Sequence, residues 1–211
     1  MVPTQIIPTD AEDVLARVVT VLRNGGLAAL PTETVYGLCA RADRDEAVRA
    51  IFAAKGRPAH NPLIVHGANV EMLSEIGVFG AVANALAERF WPGPLTLVLE
   101  RKESAPVSAL ACAGGPTVAV RIPEGSLLRE ASAAIGPLVA PSANRSGRVS
   151  ATTADAVMAE LSGRIELLAD GGPSLIGLES TVVDVTGSPT LLRPGAIPAE
   201  ALEAIVGPLA S

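Results

Sequence analysis

Short apolar segments alternate with helical patterns along the whole chain, and this alternation restricts the fold more than any other sequence feature. Residues 27–30, 95–100 and 117–122 have the length and composition of strands, and apolar residues at helical spacing lie between such segments. This alternation is typical of α/β proteins, in which helices cover an open sheet. Two adjacent strands predicted at 181–185 and 190–192 are joined by a short turn, so the sheet is expected to be mixed.

The chain length predicts one domain. With 211 residues, 49% of them hydrophobic, the chain is long enough to bury a sizeable core but short for two domains. Three Phe, one Tyr and one Trp are its aromatic residues, so the core is expected to be aliphatic. Because neither a repeat nor a linker divides the sequence, we predict a single domain over residues 1–211 without a second domain. A capping box from Thr9 to Glu12 predicts the start of the first helix.

Charge and cysteine content exclude several classes of protein. The net charge of −6 argues against a surface coated in positive charge for nucleic acid, although a local basic pocket remains open. Cys39 and Cys112 are too few for a disulfide framework, and they are expected to be small buried residues in a reducing compartment. Because neither a signal peptide nor an uncharged apolar run of about 18 residues is found, we expect a cytoplasmic protein without a membrane span.

Familiar catalytic and nucleotide-binding signatures are missing from the sequence. There is no G-x-x-x-x-G-K-[ST], no G-x-G-x-x-G and no G-x-S-x-G. With His60 and His66 as the only histidines, a Ser-His-Asp triad and a zinc site both lack side chains. We therefore predict no protein-held metal.

Polar segments adjoin the predicted strands, where open α/β sheets bind their ligands. Four cations in these segments, together with many hydroxyls, predict a cleft for a phosphorylated ligand that also carries a carboxylate. These cations are Lys55, Arg57, Arg121 and Arg193. Arg121 is the most informative of them, because an arginine that ends an apolar strand needs an anion or a water-filled cleft.

Taken singly, most of the polar residues have an ordinary structural explanation. Basic residues complement a helix C-terminus, serine and asparagine occupy turns, and threonine satisfies a loop. A histidine on an apolar strand is more often a core residue than a ligand. These alternatives apply to Lys55, Arg57, Ser142, Asn144, Thr32, Thr34 and His66.

Seven motifs occur in a fixed order between residues 25 and 197. They are PTETVYGL, KGRPAHNPLIVH, WPGPLTLVL, TVAVRIP, APSANRSG, ESTVVD and LLRPGAI. This set resembles that of the YrdC-type threonylcarbamoyl-AMP synthases, and the pairing of KGRPxxNPL with SANxSG is far more specific than a lone glycine motif. The resemblance implies a YrdC-like fold, an open, twisted, mixed α/β sheet flanked by helices, with a concave ligand cleft.

The resemblance also implies an activity. The family forms L-threonylcarbamoyl-adenylate from L-threonine, bicarbonate or CO2, and ATP, with release of pyrophosphate, and is therefore a nucleotidyltransferase. Its product serves N6-threonylcarbamoyladenosine formation in ANN-decoding tRNAs. The implied partners are thus the three substrates, the downstream tRNA threonylcarbamoyl-transfer proteins and tRNA itself. Mg²⁺ is expected to arrive with ATP and to have few protein ligands.

The motifs transfer roles to individual residues. Lys55 and Arg57 would be the catalytic cations at the ATP phosphates. The residues implied for ATP binding are Arg57, Asn61, Thr117, Asn144, Thr152 and Arg193. The residues implied for L-threonine are Thr34, His66, Arg121, Ser142 and Ser180. Two choices between neighbouring hydroxyls stay open, Thr34 against Thr32 and Thr152 against Ser150.

Two other functions compete with this one. An RNA-binding module would use a positive concave face with Arg145 and Arg148, but the net charge of −6 weighs against it. A carbamoyl-adenylate-forming module of hydrogenase maturation would need zinc-finger cysteines that this sequence lacks. Many YrdC-type relatives continue into a linker and a second, smaller domain, and the sequence up to Ser211 resembles their first domain.

Overall fold

The computed structural model describes residues 3–210, which contain ten strands and seven helices. The strands are β1 (Gln5–Pro8), β2 (Ala28–Leu30), β3 (Gly37–Arg41), β4 (Ile64–His66), β5 (Leu95–Glu100), β6 (Thr117–Arg121), β7 (Leu138–Val139), β8 (Leu167–Asp170), β9 (Thr181–Asp184) and β10 (Thr190–Arg193). The helices are α1 (Val14–Arg23), α2 (Asp45–Lys55), α3 (Val70–Ser74), α4 (Ala81–Phe90), α5 (Ser126–Ile135), α6 (Ala154–Leu161) and α7 (Ala199–Val206).

All ten strands form one open sheet in the order β1-β8-β2-β3-β7-β4-β6-β5-β9-β10. The pairs β1–β8, β2–β8, β4–β6 and β5–β9 are parallel. The pairs β2–β3, β3–β7, β4–β7, β5–β6 and β9–β10 are antiparallel. The prediction of a mixed α/β sheet is therefore confirmed.

Helices cover both faces of the sheet. In β2, Ala28 and Leu30 pack into one apolar cluster with α1 and α5, while Ala29 packs into the other with α2, α4, α6 and α7. Successive side chains of a strand point to opposite faces, which explains this division. The core is mostly aliphatic, as predicted, with Tyr36 as its largest fully buried side chain. The longest helix in the described residues, α2, has 11 residues, and none of these helices is long and apolar enough to cross a membrane.

The predicted capping box of the first helix is wrong. Helix α1 begins at Val14 after Asp13, and the side chain of Asp13 makes no capping hydrogen bond within the described residues. Thr9 instead extends the pairing of β1 with β8, since its amide donates to the carbonyl of Asp170 at 2.9 Å. A residue held in this extended ladder is not available as the helix cap.

The sheet topology places several polar residues along one face of the sheet. His66 ends β4 and Arg121 ends β6, and the two residues are paired in the parallel register. Ser180 precedes β9, which runs parallel to β5 beside β6. Ser142 follows β7 and forms a bridge with Gly37 at the start of β3. His66 lies at the end of β4, whereas the antiparallel β7 carries Ser142 past the start of β4, so these residues lie along one face of the sheet rather than at one edge.

Candidate functional site

A cleft of about 270 Å³ opens on this face of the sheet. The predicted site residues that line it are Thr34, Arg57, His66, Arg121, Ser142, Ser180 and Arg193. Apolar side chains such as Val98, Ala119 and Val182 form part of its wall. Three arginines face a single lining carboxylate, Glu179, so the cleft attracts anions even though the whole chain is acidic.

Arg121 is buried and already paired with a carboxylate. Its Nη2 donates to Glu33 Oε1 at 2.6 Å and to Thr34 Oγ1 at 3.0 Å, and its Nε donates to the Gly93 carbonyl at 3.1 Å. Burial lowers the pKa of Arg121, and the charge of Glu33 opposes that shift. The side chain is thus held as a fixed cation at the cleft wall.

His66 is a neutral member of the cleft wall. Burial lowers its pKa to about 3, and the charge of Arg121 adds to this effect. Its Nδ1 lies 3.1 Å from the Ile64 carbonyl, which accepts only from a protonated nitrogen, so Nδ1 carries the hydrogen. The Nε2 atom consequently keeps its lone pair and acts as a hydrogen-bond acceptor.

The hydroxyls of Thr32 and Thr34 lie 2.9 Å apart but have different further partners. Thr32 Oγ1 donates to the Val35 carbonyl at 2.7 Å and accepts from the amides of Thr34 and Val35, so it stabilises the turn. Thr34 is 1% exposed and lines the cleft, where its Oγ1 accepts from Arg121. Of the two hydroxyls, that of Thr34 is the one at the cleft.

Ser180 and Arg193 form a second polar wall. Arg193 Nε and Nη2 donate to the Ser180 carbonyl at 3.1 and 2.9 Å, and Nη2 also donates to Ser180 Oγ at 3.0 Å. Arg193 Nη1 forms an ion pair with Glu179, whose other oxygen accepts from Ser150 Oγ at 2.6 Å. Since Ser180 Oγ accepts from Arg193, its own hydrogen is available to Thr96, 2.8 Å away, or to a ligand.

Gly195 allows this wall to form. A Cβ at this position would lie 2.5 Å from the Glu179 carbonyl oxygen and 2.5 Å from the Thr181 amide nitrogen. A side chain would therefore push the segment after β10 away from the segment before β9. The RPG and EST motifs are adjacent because position 195 has no side chain.

Lys55 connects α2 to the loop after β7. It is 3% exposed, and its Nζ donates to the carbonyls of Ser142 and Asn144, each at 2.5 Å. The pKa of Lys55 is lowered to about 8, mainly by burial and also by the charge of Arg57, while the charge of Glu179 opposes the shift. Lys55 thus stabilises the SANxSG loop while carrying a labile charge.

Arg57 lines the cleft next to Lys55. Its Nη2 donates to the Pro62 carbonyl at 2.9 Å and its Nε to the Asn61 carbonyl at 3.3 Å. Burial lowers the pKa of Arg57, and the charge of Glu179 opposes this. These backbone contacts stiffen the KGRPAHNP turn around the guanidinium.

The remaining predicted site residues lie outside the cleft wall. Asn61 is half-buried and contributes its carbonyl to Arg57, and Asn144 Nδ2 donates to the carbonyls of Arg145 and Arg148 at 2.9 Å. Thr117 begins β6 opposite Glu100, at the end of the strand away from Arg121. The Thr152 carbonyl accepts a hydrogen bond from the Ser174 amide. Ser150 Oγ donates to Glu179, which lines the cleft. The nucleotide roles of these residues stay predictions.

Two carboxylates at the site, Glu33 and Glu179, were not among the predicted site residues. Both lie inside motifs of the resemblance, PTETVYGL and ESTVVD. The need of a buried Arg121 for an anion was a signal that pointed to an acid in another strand-end motif. Within residues 3–210, no group of three or more His, Cys, Asp or Glu side chains is arranged to hold a metal ion.

The sequence matches one protein-family model over most of its length. The family Sua5_yciO_yrdC, described as "Telomere recombination", matches residues 20–195. The chain belongs to the Sua5/YciO/YrdC family. The family resemblance of the seven motifs is thereby confirmed.

Relatives and solved structures of this family are similar to the chain. A threonylcarbamoyl-AMP synthase of Pyrococcus abyssi is 49% identical over 189 residues, which cover 88% of this chain and 55% of the relative. One of Bacillus subtilis is 46% identical over 201 residues, covering 92% and 57%. The crystal structure of P. abyssi Sua5 complexed with L-threonine aligns with a TM-score of 0.90 and 44% identity, over 98% of this chain and 61% of that chain. The chain therefore spans little more than half the length of these relatives.

Proposed function

We propose that this chain forms L-threonylcarbamoyl-adenylate from L-threonine, bicarbonate or CO2, and ATP, and releases pyrophosphate. The observation that best supports this activity is the composition of the cleft. Arg121 and Arg193 line the same cavity of about 270 Å³ with the neutral His66 and the hydroxyls of Thr34 and Ser180. A cavity of this size suits an amino acid, and the open side toward Arg57 suits the phosphates of a nucleotide.

In the proposed reaction, the two ligands divide the cleft. The carboxylate of threonine binds Arg121, and its hydroxyl and amine lie near His66 Nε2, Ser142 and Ser180. The phosphates of ATP bind Arg57 and Arg193, with Lys55 adding charge from the loop side. The P. abyssi Sua5 structure with L-threonine supports an amino-acid site in the family.

The chemistry requires alignment of two anions rather than a protein nucleophile. The amine of threonine combines with bicarbonate to give a carbamate and water. A carbamate oxygen then attacks the α-phosphorus of ATP, and the bond to pyrophosphate breaks. Fixed cations stabilise the charge that develops on the phosphate oxygens, which is the electrostatic contribution expected of such a site.

Mg²⁺ belongs to the substrate in this proposal. It enters as the complex with ATP, and the phosphate oxygens supply most of its ligands. The adenylate product is then consumed by proteins that transfer the threonylcarbamoyl group to adenosine in ANN-decoding tRNAs.

Direct detection of the product tests the proposal. The protein is incubated with ATP, Mg²⁺, L-threonine and ¹³C-bicarbonate, and the adenylate is identified by mass spectrometry. We expect an adenylate that carries one ¹³C and one threonine, and we expect Arg57→Gln to abolish it. Wild-type protein that binds both ATP and L-threonine but forms no labelled adenylate would contradict the proposed activity.

A further inference from the structure

Glu33 is a buried carboxylate behind the cleft wall. Its side chain is 3% exposed and that of Arg121 is 5% exposed, and the two are joined at 2.6 Å. Glu33 is not among the described residues that line the cleft, so it reaches a ligand there through Arg121. Burying an ion pair costs desolvation energy that the attraction between the charges repays only when the geometry is good, so the presence of this pair calls for an explanation.

The hydrogen bonds of Arg121 divide its guanidinium into an occupied and a free part. A guanidinium has five N–H groups. Nε donates to the Gly93 carbonyl, and Nη2 donates to Glu33 and to Thr34. Nη1 makes no hydrogen bond to any residue in the range 3–210, and its two N–H groups are left for a ligand of the cleft.

Glu33 is itself held rigidly. Its carbonyl accepts from the Ile176 amide at 2.9 Å, and the next carbonyl, that of Thr34, accepts from the Gly177 amide at 3.1 Å. Its second carboxylate oxygen lies 3.4 Å from the Gly125 amide. The backbone of Glu33 is thus anchored from one loop and its carboxylate from another, so the carboxylate fixes the plane and direction of the guanidinium that it binds.

We propose that Glu33 is the positioning residue for carboxylate recognition, because it orients Arg121 so that Nη1 meets the carboxylate of L-threonine. This inference rests on the proposed function, which assigns the carboxylate of the substrate to Arg121. Glu33 acts before the ligand arrives, since an oriented guanidinium loses less freedom on binding. Its effect is confined to ligands that carry a carboxylate.

A comparison of two ligands in Glu33→Gln separates positioning from support of the fold. Glutamine keeps the shape of Glu33 but removes the charge that holds Arg121. We expect the Kd for L-threonine, measured by calorimetry, to rise about tenfold or more. We expect the Kd values for L-threoninamide, which lacks the carboxylate, and for ATP to change less than about twofold. The matched control is Glu124→Gln, an exposed carboxylate lining the neighbouring cavity with Glu33, and it should change none of the three affinities.

Any of four results would overturn the inference. Equal losses for threonine and threoninamide, or a parallel loss for ATP, would show that Glu33 only supports the fold. Tighter threonine binding in Glu33→Gln would show that Glu33 competes with the ligand for Arg121. If the wild type makes the adenylate and Glu33→Gln binds threonine normally, this inference is refuted and the proposed function is not. Wild-type protein that binds no threonine would refute both.

Two further measurements apply if Glu33→Gln does not fold. Glu33→Asp keeps the charge but withdraws it by one methylene, and the same selective loss for threonine is expected from it. In the ligand-free wild type, we expect separate NMR signals for the two Nη groups of Arg121, because Glu33 restricts rotation of the guanidinium. A single averaged signal would overturn the inference.

Discussion

Raising the pH tests the charge of Lys55, which has a pKa of about 8 in the ligand-free protein. With that value, about nine-tenths of the side chain is charged at pH 7 and about one-tenth at pH 9. The phosphates of ATP favour the charged form and raise its pKa in the complex. If only charged Lys55 supports binding, the Kd for ATP rises about tenfold from pH 7 to pH 9.

The loss of affinity should be electrostatic rather than structural. A neutral amine still has two N–H groups, enough for the carbonyls of Ser142 and Asn144 to which Lys55 donates. The loop after β7 therefore stays in position while the charge is lost. The Lys55 amine binds a proton more weakly in the ligand-free protein than in the ATP complex. The protein should therefore take up about one proton when it binds ATP at pH 9.

Calorimetry of ATP binding at several pH values, with Mg²⁺ and without threonine, measures both effects. In Lys55→Met, which has no titrating group at this position, we expect weaker binding at pH 7 and little dependence on pH. In Glu179→Gln, the midpoint should move to lower pH, because the charge of Glu179 raises the pKa of Lys55. A flat wild-type profile, or the same decline in Lys55→Met, would show that the charge of Lys55 does not control ATP binding.

Three other predictions concern the cleft and its supports. Gly195→Ala should lower the free energy of unfolding by about 1–3 kcal/mol and weaken the binding of ATP and L-threonine, because its Cβ would lie 2.5 Å from backbone atoms. An unchanged melting temperature would contradict this. Ser180→Ala should weaken threonine binding by about 1 kcal/mol, the value of one hydrogen bond, and unchanged affinity would leave Ser180 without a ligand contact. Folding lowers the pKa of His66 from 6.5 to about 3, so between these pH values the unfolded chain binds more protons than the folded protein. The free energy of unfolding should therefore fall as the pH drops from 6.5 toward 3. Urea unfolding should show less of this loss in His66→Gln than in the wild type, while the exposed His60→Gln should behave as wild type.

Much of the fold is predictable from local patterns. The strand predicted at 95–100 has the bounds of β5, since this segment is strongly apolar. Strand β1 was not predicted because it has four residues, ends in proline and buries only Ile7. Strand β3 was not predicted because glycine, cysteine and alanine carry little strand preference, although Gly37 to Ala40 are buried.

Site residues could be predicted where the sequence of their own segment indicates their role. Arg121 follows from an arginine at the end of an apolar strand, and that residue does line the cleft. Its partner Glu33 lies 88 residues away in sequence, so the pairing depends on the order of strands in the sheet. Lys55 illustrates the same limit, because its contact with the Asn144 carbonyl spans 89 residues.

Pyrophosphate release from ATP in the presence of bicarbonate reports the proposed formation of the adenylate directly. The rates with L-threonine, with L-serine and without an amino acid are compared in the wild type and in Arg121→Gln. We expect release that depends on L-threonine in the wild type, and a much higher threonine requirement in Arg121→Gln with little change in the ATP requirement. Release that is independent of the amino acid would contradict the proposed activity, and equal effects of Arg121→Gln on both requirements would contradict the assignment of the threonine carboxylate to Arg121.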